Sequence, residues 1–399
     1  MKALPRVVLK KGRERSILKR HPWIYSGAVE RCDGEVQPGC TVDVVDSTGT
    51  WLARGAYSPS SAIRVRIWTW DAEDMVDQAF LKQRLNLAID MRQRLGIEKE
   101  TNAMRLVHGE SDGLPGMIVD RYAQFLVVQI LSAGVEFWRK EIADSLLSLL
   151  DGIQIFERSD VDVRVLEGLE PRIGVIHGMQ PELFNIQENG LSFQVDISGG
   201  QKTGFYLDQR RNRQILREMV LPGSEVLNCF SYTGAFGVYA LAGGARRITS
   251  IDSSEDALAT AKMNFALNGF DESEHEWLGA DVFQALRTFR DSRRFFDCII
   301  LDPPKFAHTK SQAQKAARGY KDINLLAMKL LRPGGLLFTF SCSGGISAEF
   351  FRQIVEGAAL DAGGEYQIVR QLHQDRDHPI LLNFPESEYL KGLVCVKSG

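Results

Sequence analysis

The chain has 399 residues, 44% of them hydrophobic, which is enough for more than one buried core and excludes a disordered chain. Its formal net charge of -3 at pH 7 excludes a polycation that binds nucleic acid indiscriminately. No run of about 18 apolar residues and no signal-peptide core is present, so a cytoplasmic protein without a membrane partner is expected, and six cysteines with no CxxC pair argue against a zinc site or a disulfide framework.

Charge is nevertheless uneven. Between Met1 and Arg31, nine cationic residues (Lys2, Arg6, Lys10, Lys11, Arg13, Arg15, Lys19, Arg20, Arg31) face only Glu14 and Glu30. That end is expected to meet a polyanion, although a solvated basic terminus gives the same pattern. Short alternating runs follow at Thr41–Asp46, Trp51–Tyr57 and Ile63–Trp68, separated by turn residues, and predict a small β-rich domain over residues 1–77. In the third run Ile63, Val65 and Ile67 share one face, which leaves Arg64 and Arg66 expected to point outward.

Apolar residues at helical spacing from Gln78 to Leu95 open a second domain, residues 78–189. Strands are expected there near Met104–His108, Met117–Asp120, Phe125–Leu131 and Ile153–Glu157, with a helix near Glu136–Leu150, so this domain is mixed α/β; a further strand is expected near Phe193–Val195. From residue 190 to 399 apolar runs alternate with amphipathic helices, as a doubly wound, Rossmann-like parallel sheet requires. Its strands are expected at Glu225–Asn228, Arg247–Asp252, Cys298–Leu301 and Gly335–Phe340.

In such a sheet the ligand lies beyond the carboxyl ends of the strands. The first strand leads into Asn228-Cys-Phe-Ser-Tyr-Thr-Gly-Ala-Phe-Gly237, where Gly234 and Gly237 permit a tight turn. The second ends at Asp252, near the offset at which an acid accepts hydrogen bonds from a ribose. Asp281 stands where an adenine amino group would be read, with Val282 and Phe283 beside the ring, but it is equally suited to cap the following helix. A dinucleotide would need a glycine-rich diphosphate loop, and Phe230 and Tyr232 stand where those glycines would be. The loop, through Asn228, Phe230, Ser231, Tyr232, Thr233 and Gly234, therefore favours S-adenosylmethionine over NAD.

The Cys298–Leu301 run ends in Asp302-Pro-Pro-Lys-Phe306, whose paired prolines hold an extended loop, and Gly335–Phe340 ends in Ser341-Cys342-Ser343. Both loops are expected at one sheet edge. Carbon 5 of a pyrimidine is too weak a nucleophile to take a sulfonium methyl unaided, so a thiolate must first add to carbon 6. Cys342 supplies that nucleophile and Asp302 a group able to bond the ring near N3. Cys229, Cys298 and Cys395 are read as packing.

The strings Arg20-His-Pro-Trp-Ile-Tyr-Ser-Gly27, Leu52-Ala-Arg-Gly-Ala-Tyr-Ser-Pro59, Gly109-Glu-Ser-Asp-Gly-Leu-Pro-Gly116, Lys202-Thr-Gly-Phe-Tyr-Leu-Asp-Gln-Arg210, Asn228–Gly234, Asp302–Phe306 and Phe340–Gly344 span nearly the whole chain. Together they resemble the 23S ribosomal RNA 5-methylcytosine methyltransferases. The resemblance implies an RNA-binding PUA domain, a central domain and a class I methyltransferase domain, with 23S ribosomal RNA as partner. It implies Cys342 as nucleophile, Asp252 and Asp281 on ribose and adenine, Asp302 beside the base, and Phe205, Asp208 and Arg210 over the cofactor. One departure is Lys305 after Pro304, where many RNA 5-methylcytosine enzymes carry a second cysteine, so the base that removes the carbon 5 proton stays unassigned. Methylation of uracil carbon 5, methylation of a base amine or ring nitrogen, and a non-catalytic assembly factor remain as alternatives. The target nucleotide, the choice between naked RNA and an assembly intermediate, and homodimerisation are open at this point.

Overall fold

The structure, a computed structural model, describes residues 4–200, 203–306 and 312–398. The chain forms two compact units: Met1–Ile186 with Val195–Leu207 and Arg376–Ser387, and Gln187–Gln194 with Asp208–Asp375 and Glu388–Gly399.

The first unit holds two sheets. β1 (Arg6–Leu9), β2 (Trp23–Tyr25), β3 (Val29–Asp33), β4 (Thr41–Val45), β5 (Trp51–Tyr57) and β6 (Ile63–Thr69) form one, in the order β2-β6-β5-β4-β1-β3. Alternation along β4 and β6 sends Val42, Val44, Val65 and Ile67 into its core. The outward reading of Arg66 fails. This side chain is 6% exposed, donates to Glu110 at 2.9 Å and Glu167 at 3.0 Å, and packs over the Trp23 ring. Period-2 alternation separates two faces but does not make the second one wet. Here other parts of the unit cover it, and two carboxylates neutralise the buried guanidinium.

The second sheet comprises β7 (Ala103–His108), β8 (Met117–Tyr122), β9 (Phe125–Ile130), β10 (Gln154–Ser159) and β11 (Arg172–His177), in the order β11-β10-β9-β8-β7. The helix expected from Gln78 spans Gln78–Arg94, and the Asp77 carboxylate caps it by accepting from Phe80 N at 2.9 Å. The helix expected near Glu136–Leu150 is two helices, Ala133–Phe137 and Arg139–Leu149. A hairpin of β12 (Phe184–Glu188) and β13 (Leu191–Val195) follows.

In the second unit β14 (Glu225–Cys229), β15 (Arg247–Asp252), β16 (Glu276–Gly279), β17 (Phe296–Leu301), β18 (Leu331–Ser341), β19 (Tyr366–His373) and β20 (Lys391–Lys397) make a seven-stranded sheet ordered β16-β15-β14-β17-β18-β20-β19. β14 to β18 are mutually parallel, and β20 runs antiparallel between β18 and β19. β14 and β17 are buried along most of their length, with Leu227, Cys229, Ile299 and Leu301 in the core. Register aligns the carboxyl ends: Cys229 is opposite Ile251 and Leu301, Asp252 opposite Gly279, and Leu301 opposite Thr339. Strand order reverses between β14 and β17, which is where an open α/β sheet leaves a crevice.

Candidate active site

Around that crevice the loop after β14 is folded unusually. Phe230 and Tyr232 have φ of 57° and 46°, a left-handed conformation that bulky residues rarely hold. Tertiary hydrogen bonds fix it: Ser231 N donates to Ile251 O at 3.0 Å, Tyr232 N to Asp252 Oδ2 at 2.8 Å, and Asn264 Nδ2 to Thr233 O at 2.8 Å. Gly234 closes the turn at φ 76°, where an added Cβ would lie 2.8 Å from Ala261 Cβ. Such strain persists where surrounding structure over-determines it, commonly at ligand sites.

Asp252, at the end of β15, is half-buried and also accepts from Ser254 N at 3.0 Å through Oδ1. A carboxylate has about four lone-pair sites, so two acceptor positions remain for a diol. Asp281 caps the helix Val282–Asp291 by accepting from Gln284 N at 3.0 Å, and Val282, 3% exposed, belongs to the core beneath. Among the described residues, three buried polar atoms of the loop lack a hydrogen-bond partner: Asn228 Nδ2, Ser231 Oγ and Thr233 Oγ1. Orphans of this kind are rare in native folds and mark a place for an absent polar ligand. These groups fit a nucleoside cofactor without phosphates. If Asp252 binds ribose, Asp252→Ala is expected to raise the dissociation constant for S-adenosylhomocysteine about 10- to 100-fold, matching the ~1.5–3 kcal/mol of a hydrogen bond to a charged group. Unchanged affinity by titration calorimetry would remove that assignment.

At the end of β17, Asp302 is half-buried and accepts from Gln209 Nε2 at 3.0 Å. Cys342, at the end of β18, lies with Sγ 3.9 Å from Pro303 O, so the thiol adjoins the Asp302 loop. Tyr320 Oη lies 3.0 Å from Ser343 Oγ and its ring packs on Phe306. The other core thiols are different. Burial pushes Cys229 and Cys298 far above the ordinary thiol range and Cys395 up to about 12, which makes them inert.

The segment before α-helix Arg210–Met219 is tied into the fold by several polar contacts. Arg210, 1% exposed, pairs with Asp375 at 2.7 Å, and Asp208 accepts from Tyr389 Oη at 2.6 Å while its carbonyl receives Asp375 N at 2.9 Å. These contacts give both side chains a holding role. Phe205 belongs to the first unit, 5% exposed, with its backbone bonded to Tyr122 Oη at 3.2 Å; Lys202 lies outside the described residues. Gln209, Tyr320 and Lys391 adjoin Asp302 and the turn after Cys342, and sequence reasoning singled out none of them, because each acts through a partner distant along the chain.

Five parallel strands in this order, an antiparallel strand inserted at one edge and a loop suited to a nucleoside without phosphates define a class of methyl-transferring proteins. Residues 172–385 match the S-adenosylmethionine-dependent methyltransferase family and residues 7–70 match a PUA-like domain; the chain belongs to that methyltransferase family. More particularly, it is 51% identical over 98% of both chains to the Ribosomal RNA large subunit methyltransferase I of Klebsiella pneumoniae (strain 342). It is 50% identical, again over 98% of both, to the protein of that name from Cronobacter sakazakii (strain ATCC BAA-894). A solved SAM-dependent methyltransferase structure from Streptococcus mutans shares the fold, at 22% identity and TM-score 0.84 over 98% of this chain and 99% of that one. Another methyltransferase of like similarity, TM-score 0.85 at 22% identity and the same coverage, was solved complexed with SAH.

Proposed function

We propose that this protein methylates carbon 5 of a cytosine in 23S ribosomal RNA through a covalent bond between Cys342 and carbon 6. The RNA substrate follows from the relatives named above and from the PUA-like domain, whose Arg6, Lys10, Lys11, Arg13, Arg15, Lys19, Arg20 and Arg31 are exposed. The observation that carries the carbon 5 reading is Cys342 at the carboxyl end of β18, 3.9 Å from the Pro303 carbonyl of the Asp302 loop. Methylation of an amine or ring nitrogen has no use for a thiol there.

The target nucleotide is splayed from its stack to reach the crevice. The Cys342 thiolate adds to carbon 6, and the electron pair of the 5,6 double bond makes carbon 5 enamine-like. Bound S-adenosylmethionine supplies an electrophilic methyl group. A base then takes the carbon 5 proton, the double bond re-forms, and the carbon–sulfur bond breaks to return the thiolate. Asp302, oriented by Gln209, bonds the ring near N3 and stabilises charge developing there. Asn228, Ser231, Thr233 and Asp252 hold the nucleoside of the methyl donor, with Asp281 at its adenine; Asp208 and Arg210 shape the wall behind.

The test is mass spectrometry of nucleosides from unmodified large-subunit RNA incubated with the protein and S-adenosylmethionine. 5-Methylcytidine with wild type and none with Cys342→Ala is expected. 5-Methyluridine would move the substrate to uracil, and a methylated purine that survives the substitution would end the covalent reading.

A further inference from the structure

The antiparallel pairing of β20 with β18 sets Lys391 directly across from Ser341, the neighbour of Cys342. The lysine is 5% exposed, and its ammonium donates to Ser343 O at 2.9 Å and Ile346 O at 2.7 Å, the two ends of the turn that follows the cysteine. Among the described residues no carboxylate lies within ion-pair distance of it. A buried cation held only by carbonyls carries a desolvation cost that a neutral donor would avoid. Burial lowers its pKa to about 8, so at pH 7 it remains mostly protonated, and Cys342 and Lys391 feel one another's charge.

We propose that Lys391 is a positioning residue for Cys342: it clamps the 343–346 turn and its ammonium is the counter-charge that favours the Cys342 thiolate. The proposal rests on Cys342 being the nucleophile. Other charged or titratable groups among the described residues lie near this pair. Lys305, after β17, is a second cation that lowers the pKa of Lys391, while Glu388 raises it and so helps to keep the counter-charge on the lysine. Tyr320, from the helix Ala313–Leu330, stays a neutral phenol because burial raises its pKa. Asp302 adds a nearby carboxylate from the adjoining loop. The sign is consistent: a thiolate stabilised by Lys391 forms at lower pH, and the benefit is lost as pH rises past about 8 and the lysine discharges.

The measurement is the rate of iodoacetamide alkylation of Cys342, resolved by peptide mass spectrometry, between pH 6 and 10 on the folded full-length protein. In wild type the midpoint is expected below the ordinary thiol value of about 8.5. In Lys391→Met it is expected at least one pH unit higher, with alkylation at pH 7 about tenfold slower; Lys391→Arg is expected to restore most of the difference. Circular dichroism and S-adenosylhomocysteine binding establish that the variants are folded. A wild-type midpoint at or above the ordinary value overturns the proposal whether or not Lys391→Met folds, and so does a Lys391→Met midpoint equal to that of wild type. Methylation surviving in Cys342→Ala would instead undo the covalent reading and leave the titration result standing. An inactive Cys342→Ala beside an unshifted midpoint would remove only the role of Lys391.

Discussion

Cys342→Ala is expected to lower turnover by on the order of 10⁴-fold or more while changing S-adenosylhomocysteine affinity less than about twofold. Without the thiolate, carbon 5 keeps its aromatic, weakly nucleophilic character, and the remaining groups only bring the reactants together. The side chain is half-buried, and its 3.9 Å approach to Pro303 O is too long to be what holds the loop 302–306, so removing the sulfur is expected to leave the cofactor side of the crevice intact. RNA carrying 5-fluorocytosine gives a sharper readout. Fluorine cannot leave as the carbon 5 proton does, so the carbon–sulfur bond has no route to break after methyl transfer. Wild type should form a complex with such RNA that survives denaturing electrophoresis, and Cys342→Ala should form none. A complex that forms equally with both proteins would show attachment at some other residue.

The sheet edge was legible in the sequence where local chemistry dictates local structure. β14, β15, β17 and β18 are largely buried parallel strands rich in apolar and β-branched residues between helical stretches, and their carboxyl ends carry Asp252, Asp302 and Cys342 to one edge by topology alone. Asp281 was legible as a helix N-cap, and its reading as an adenine acceptor rests on the same side chain because both roles ask for a carboxylate. The antiparallel β19–β20 pair was not. Most of β19 is exposed, and nothing in residues 391–397 says that they insert between β18 and β19, so Lys391 could not be brought beside Cys342. Arg66 and Arg210 illustrate the same limit from the other side. A charged residue reads as facing solvent or ligand until its partners are known, and Glu110, Glu167 and Asp375 are remote in sequence.

Glu188→Ala is expected to destabilise the second unit by about 3–5 kcal/mol, the range for breaking a buried ion pair from one side. Glu188 is 0% and Arg213 1% exposed, and they meet through two parallel bonds, Nε to Oε1 and Nη2 to Oε2, each 2.8 Å. Tyr239 Oη donates to Oε1 at 3.0 Å, and its ring stacks on Phe193, so the carboxylate also anchors an aromatic layer. Removing it leaves the buried guanidinium without its carboxylate. Replacing both partners, as Glu188→Leu with Arg213→Met, is expected to recover most of the loss because neither charge then has to be desolvated. Urea unfolding followed through this double-mutant cycle measures the coupling, and single-variant costs that simply add would show that the two side chains do not act as a pair. The consequence reaches the chemistry. Arg213 lies one turn into the helix whose N-cap, Gln209, bonds Asp302, so the folded Glu188→Ala protein should lose turnover more than cofactor affinity, as the carboxylate beside the base loses its fixed donor.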